Sequence, residues 1–190
     1  MPPHHVQLTS KEPVRVKPYP IPLRLVDAVR REIDEMEAAR IIEKSNSPYC
    51  SPMVVVKKKE GGIRICGDYR KLNAVTRLDA EPMSDPQAIF ATLANSRIFS
   101  KIDLTKGFFQ VPLSEESRRV TAFSTPGGLY QYKTLPFGMT NSPAAFNKVM
   151  CEVMRGVKGV EIFVDDVLIH SPSFRQHLET LRIVLERLRS

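Results

Sequence analysis

The segment Val160-Glu161-Ile162-Phe163-Val164-Asp165-Asp166-Val167-Leu168-Ile169-His170 constrains this chain more than any other. Val, Ile and Phe are strand formers, and both apolar runs are too short for a helix. The pattern predicts a hairpin with two adjacent carboxylates at its bend. Asp is a common turn residue, so a solvated turn is one reading. The other is a site, because burying neighbouring carboxylates is costly unless positive charge meets them. A third aspartate ends another short apolar run, Ile98-Phe99-Ser100-Lys101-Ile102-Asp103-Leu104. Two strand ends that each bring a carboxylate beside the other could hold a pair of divalent cations.

The rest of the chain supplies the frame. Its 190 residues suffice for one large domain or two small lobes. An apolar share of 42% is that of a globular protein. The net charge of +7 favours a polyanionic partner. No apolar run is long enough to span a membrane, and the first residues lack a secretory pattern. Cys50, Cys66 and Cys151 are scattered and form no CxxC; they read as reduced intracellular thiols. The histidines lack metal spacing, and His170 and His177 read as surface residues.

Residues 1–22 hold six prolines and predict an extended arm that lies on the surface or is disordered. Val26, Val29, Ile33 and Met36 predict a helix over 23–40. Pro52–Val56 and Ile63–Cys66 flank Gly61-Gly62 and predict a hairpin, with Ile63 and Ile65 on one face and Arg64 on the other. Its lysines 57–59 are either edge protection or a basic finger that closes over phosphates. No P-loop and no GxGxxG loop is present. A polar connection is expected from Gly67 to about Ser84. A helix follows, capped by Asp85 and apolar at Ile89, Phe90 and Leu93. Beyond the Asp103 strand, Gln110–Leu113 reads as extended. Val120–Ser124 and Leu129–Lys133 read as strands around Pro126-Gly127-Gly128. Ser142 is expected to cap a helix bearing Phe146, Val149, Met150, Val153 and Met154. Ser173 and Gln176 suggest a capping box for a last helix with a Phe174, Leu178, Leu181, Leu185, Leu188 seam. That helix carries no stop signal, which suggests a piece of a longer protein.

Four segments in this order resemble the motifs of reverse transcriptases: Ile65–Asn73, Phe99–Leu104, Leu135–Phe146 and Phe163–Asp166. Their wording is similar to that of gypsy-like long-terminal-repeat retrotransposons, and the resemblance runs from about Pro18 to the end. It implies an α+β right-hand polymerase whose palm is a ferredoxin-like antiparallel sheet backed by helices. Residues 23–77 and 111–141 would be fingers, and 78–110 and 142–190 palm, ending before the thumb. Asp103, Asp165 and Asp166 would be the catalytic triad. Asp103, Asp165, Asp166 and the Leu104 carbonyl would form the metal site for two Mg²⁺ ions, with Mn²⁺ as a substitute; Asp103 and Asp165 would bridge the ions and Asp166 would have a less direct role. Lys58, Arg64, Phe137 and the backbone amides of Lys106 and Gly107 would bind the nucleotide. Phe108 would be an aromatic gate against a ribose 2′-hydroxyl. Gly138, Phe163 and Val164 would face template and primer.

The implied reaction is RNA- and DNA-directed addition of deoxynucleotides to a primer 3′-hydroxyl. Implied partners are primer and template, dNTPs and the rest of a Pol polyprotein: thumb, ribonuclease H, and protease and integrase regions. The implied setting is a cytoplasmic virus-like particle, with the nucleus as the alternative. The rival reading is a catalytically silent nucleic-acid-binding remnant of a retroelement. A generic two-metal nuclease would have no use for the basic finger or the gate. The chain departs from the family pattern at several points. Phe108 and Phe163 stand where Tyr is frequent, Ile63 where Trp is frequent, and Arg40 where Gly is usual at a helix end.

Overall fold

The computed structural model describes residues 1–58, 61–79, 86–104, 106–163 and 165–189, with backbone alone at 86 and 88. Elements in chain order are α1 (Val26–Ala38, entered through a 3₁₀ turn at Leu23–Leu25), β1 (Ile42–Lys44), β2 (Met53–Lys57), β3 (Ile63–Gly67), α2 (Arg70–Asn73), α3 (Pro86–Thr92) and β4 (Ile98–Asp103). After a 3₁₀ turn at Gly107–Gln110 come α4 (Glu115–Val120), β5 (Phe123–Thr125), β6 (Gly128–Tyr132), α5 (Ser142–Val153), β7 (Val160–Phe163), β8 (Asp166–Ser171) and α6 (Phe174–Arg189). This is an α+β arrangement whose named strands all pair antiparallel. No helix among the described residues is long and apolar enough to cross a membrane. Two compact units divide the chain: Met1–Leu78 with Phe108–Ser142, and Asp79–Gly107 with Pro143–Ser190.

The first unit holds a sheet of order β1-β6-β5 and the β2-β3 hairpin. Helix α1 buries Val29, Ile33 and Met36, the face its three- and four-residue steps create. It stops in a Schellman arrangement: Arg40 N–H donates to Glu37 O and Ile41 N–H to Met36 O, both at 2.9 Å. Arg40 takes φ +58°, a conformation that suits glycine better. In the hairpin, Ile63 and Ile65 are buried and Arg64 is exposed, while Lys59 and Glu60 lie outside the described residues. The N-terminal arm is tied by backbone: His4 N–H donates to Pro112 O, Thr9 N–H to Val75 O and Val16 N–H to Cys50 O, each at 2.8 Å.

Three expectations need correction here. The segment 120–124 is not one strand: Val120 ends α4, and β5 begins only at Phe123. The Ser114 hydroxyl caps α4 by accepting from Ser117 N–H, with Glu115 and Glu116 in the first turn and Arg118 and Arg119 in the last. These local terms outweigh the β preference of Val120-Thr121. The connection after Gly67 contains α2, and Gln110 belongs to a 3₁₀ turn rather than an extended run.

The second unit is built on a sheet of order β4-β8-β7. Val167, Ile169 and Ile162 are buried, and α6 packs on β8 and β4. Helix α5 buries Phe146 and Met150, as its spacing predicted, and Met154 just past its end is buried too. Gly159, at φ +75°, leads into β7 with its Cα so close to β8 that an added Cβ would stand 2.5 Å from His170 O. The Ser173 hydroxyl accepts from Gln176 N–H at 3.5 Å, as the capping box required.

Other expectations in this unit fail. His170 and His177 are buried, not surface residues. His170 Nδ1 shares a hydrogen with Ser96 Oγ, and His177 Nε2 with Ser100 Oγ, both at 2.8 Å. The α6 seam is turned largely outward: Phe174, Leu178 and Leu185 are exposed, while His177 and Val184 are buried. Phe90 is exposed on α3, and its expected cap Asp85 lies outside the described residues. Ser142 is itself the first residue of α5, and its hydroxyl donates to Pro136 O instead of capping.

Candidate active site

Strand parity places Phe99, Lys101 and Asp103 on the exposed face of β4, with Ile98, Ser100 and Ile102 on the other. Register then sets Asp166 opposite Asp103 and Leu168 opposite Lys101. Phe163 of β7 pairs with Asp166 from the other side. Two residues, 164 and 165, join β7 to β8, so Asp165 is held at a tight tip, exposed. Its carbonyl accepts from Leu104 N–H at 3.2 Å, tying that tip to the end of β4. Val164 and Thr105 lie outside the described residues.

Like charges directly opposite one another in a sheet repel. Here a cation relieves the Asp103–Asp166 pair: Lys101 Nζ lies 2.8 Å from Asp166 Oδ2. The hydrogen bond from Lys101 to Asp166, with the fields of Asp166, Asp103 and Asp165, holds the ammonium above its usual range. All three carboxylates therefore act on one point. They form an open set, for among the described residues no group of three or more His, Cys, Asp or Glu side chains closes into a metal-holding cluster.

Leu104 O accepts from Gly107 N–H at 2.9 Å. The Gly107 amide, expected to face a phosphate, is thus already committed, whereas the carbonyl keeps a second lone pair. Lys106 is exposed at φ +57°. Gly107 admits no side chain, since a Cβ would come within 2.7 Å of the buried Phe146 ring.

The first unit carries the basic and aromatic residues. The Arg64 guanidinium lies 5.3 Å from the Phe137 ring centroid, so Phe137 provides the stacking partner that Ile63 cannot. The Phe137 ring meets Phe108 at 4.9 Å and Phe109 edge-on at 5.3 Å. Phe108 is only 7% exposed. Lys58 Nζ lies 4.0 Å from Glu32 Oε1, at the limit of an ion pair. Burial pushes the Cys66 thiol up while Arg64 pulls it down.

The loop bearing Phe137 is clamped by Asn73. Its Nδ2 donates to Gly138 O at 2.9 Å, and its Oδ1 accepts from Thr140 N–H at 3.0 Å. Gly138 needs to be glycine: φ is +93°, and a Cβ would stand 3.2 Å from Gly67 O. Gly67 in turn lies against the Tyr69 ring, whose hydroxyl donates to Thr121 O at 2.8 Å.

Sequence reasoning gave no role to Lys101, Asn73 or Phe109. Lys101 was findable, because two residues before Asp103 on a strand means the same face. Asn73 and Phe109 stand inside motifs, but nothing local marks their partners.

Comparison with known proteins gives a consistent picture. The family model "Reverse transcriptase (RNA-dependent DNA polymerase)" matches residues 56–190. The chain is 37% identical over 190 residues to the retrovirus-related Pol polyprotein from transposon opus of Drosophila melanogaster, covering 96% of this chain and 19% of that one. It therefore spans about a fifth of the length of the curated relatives it matches. Among solved structures, prototype foamy virus protease-reverse transcriptase superposes with a TM-score of 0.90 at 28% identity, over 98% of this chain and 25% of that one. The foamy viral enzyme in complex with an RNA/DNA hybrid superposes with a TM-score of 0.89 at 26% identity, over 99% and 25%.

Proposed function

Because this chain belongs to the reverse transcriptase (RNA-dependent DNA polymerase) family, we propose that it is the fingers-and-palm part of a retrotransposon Pol polyprotein. Its reaction is the addition of deoxynucleotides to a primer 3′-hydroxyl, directed by an RNA or DNA template. In this reading residues 23–77 and 111–141 are the fingers and 78–110 and 142–190 the palm, close to the division into Met1–Leu78 with Phe108–Ser142 and Asp79–Gly107 with Pro143–Ser190.

The observation that carries the reading is the register pairing of Asp103 with Asp166 beside a tip that presents Asp165. The donor set is oxygen only, which suits Mg²⁺ or Mn²⁺. Its potential already draws in a cation, the Lys101 ammonium, so the residues present fit divalent ions. Asp103 and Asp165, with the free lone pair of Leu104 O, would hold them. Bound there, the ions would supply Lewis-acid activation of the primer oxygen and charge stabilisation for the departing pyrophosphate. Arg64 and Lys58 serve as cationic grips for a triphosphate. Phe108 acts by sterics on the sugar, and Phe137 holds Arg64 in place.

The rival reading is a catalytically silent remnant, and activity separates the two. The test is Asp165→Asn in the full polyprotein enzyme. Primer extension should fall by several orders of magnitude while affinity for primer–template changes little. Near-normal extension by the variant would sink the assignment.

A further inference from the structure

The three aspartates are not equivalent, and the difference lies in the strand before them. Lys101 shares the exposed face of β4 with Asp103 and reaches diagonally past Leu168 to Asp166, 2.8 Å away. The diagonal is within reach of a long side chain. Lys101 is 60% exposed and Asp166 33%, so the pair remains partly hydrated. Such a pair is formed at little desolvation cost and is correspondingly modest in strength. No comparable cation is paired with Asp103 or Asp165 among the ion pairs of the described residues.

We propose that Lys101 is a positioning residue that holds the Asp166 carboxylate and offsets its charge, leaving Asp103 and Asp165 as the pair that takes divalent cations. This rests on the active-site reading given above. Without the lysine, Asp166 faces Asp103 with nothing between them. It then either turns away to reduce repulsion or joins the ions and changes their number of ligands. With the lysine, the carboxylate set opposite Asp103 is offset before any metal arrives. A purely decorative surface pair would have no bearing on metal affinity, and a general repulsive effect of the lysine on cations would not pass through Asp166.

These alternatives separate in Mn²⁺ titrations of this 190-residue chain, with free Mn²⁺ followed by electron paramagnetic resonance. Lys101→Met should tighten Mn²⁺ binding by about two- to fivefold, the scale of an exposed pair, because the freed Asp166 joins the ligands. In an Asp166→Asn background the same substitution should produce no more than half that shift. Lys101→Arg, which keeps the cation, should bind as the parent does. Thermal unfolding of each variant reports whether the sheet survives. In the full enzyme, Lys101→Met should lower kcat more than it changes KM for the nucleotide. Equal shifts with and without Asp166, or no shift in either background, would overturn the proposal. Unchanged Mn²⁺ affinity in Asp103→Asn and Asp165→Asn would instead overturn the active-site reading beneath it, so the two failures are distinct.

Discussion

Arg64 lies over the face of Phe137, with its guanidinium carbon 5.3 Å from the ring centroid. The two come from distant stretches, a hairpin strand and the loop clamped by Asn73, and nothing in the spacing of either announces the other. A cation over an aromatic ring at an exposed site contributes about 0.5–1 kcal/mol. If Arg64 grips the triphosphate, Phe137→Leu in the full enzyme should raise KM for the incoming nucleotide about two- to fivefold. The kcat should change less. Single-nucleotide incorporation kinetics check this, and an unmoved KM would mean that Arg64 is held without the ring.

Phe108 is packed against Phe137, which gives its ring two jobs to be separated. Phe108→Val should lower discrimination against ribonucleotides by about tenfold or more if the ring excludes a 2′-hydroxyl by clash. It should also cost about 1–3 kcal/mol of stability through the lost ring contacts. Parallel measurement of ribonucleotide and deoxynucleotide incorporation is the check. A destabilised enzyme with intact sugar selectivity would mark Phe108 as packing alone.

Arg40 is strained where α1 ends. A left-handed conformation costs a non-glycine residue about 1–2 kcal/mol, partly offset by the entropy a glycine loses on folding. Arg40→Gly should therefore raise the unfolding free energy by about 0.5–1 kcal/mol. Urea unfolding of this chain would show it, and a loss of stability would mean that the arginine side chain makes a compensating contact.

Asp68 gives a pH dependence of definite sign. The Arg70 guanidinium, and then the Tyr19 hydroxyl, outweigh partial burial and hold the carboxyl far below its usual range. A depressed folded-state value adds stability above the unfolded value of about 3.9, and that stability fades as pH falls towards the folded value. The gap in unfolding free energy between the parent chain and Asp68→Asn should be constant from neutral pH to about 5 and narrow below about 4. A gap that widens on acidification would contradict the ion pair.

Elements with strong local signals could be read from the chain. The Gly61-Gly62 and Asp165-Asp166 hairpins, the α1 stripe and the α5 stripe all formed where their periods put them. The carboxylates could be read because strand parity and a tight turn determine their relative places. What was hidden depends on contacts between distant segments. Ser96 and Ser100 accommodate His170 and His177 inside the second unit from 74 and 77 positions away, and no local pattern turns a histidine inward. The α6 leucines show that a stripe exists but not which edge of it meets the sheet. Helix α4 was missed because two β-branched residues at its end spoke louder than a serine cap.

The first unit's sheet pairs Ile42 of β1 with Tyr132 of β6, and the intervening chain includes β4 and α3 of the second unit. On the ribosome, at about 5–20 residues per second, roughly 4–18 s separate the synthesis of these partners. Throughout that interval Ile42, which ends up 1% exposed, lacks the strand that pairs with it. The first unit cannot close until residues 79–107 of the second have been made. The nascent chain must therefore carry an unpaired strand past the whole Asp103 segment, which makes chaperone engagement during translation, rather than thermodynamic stability, the stage at which substitutions in β1 would be felt first.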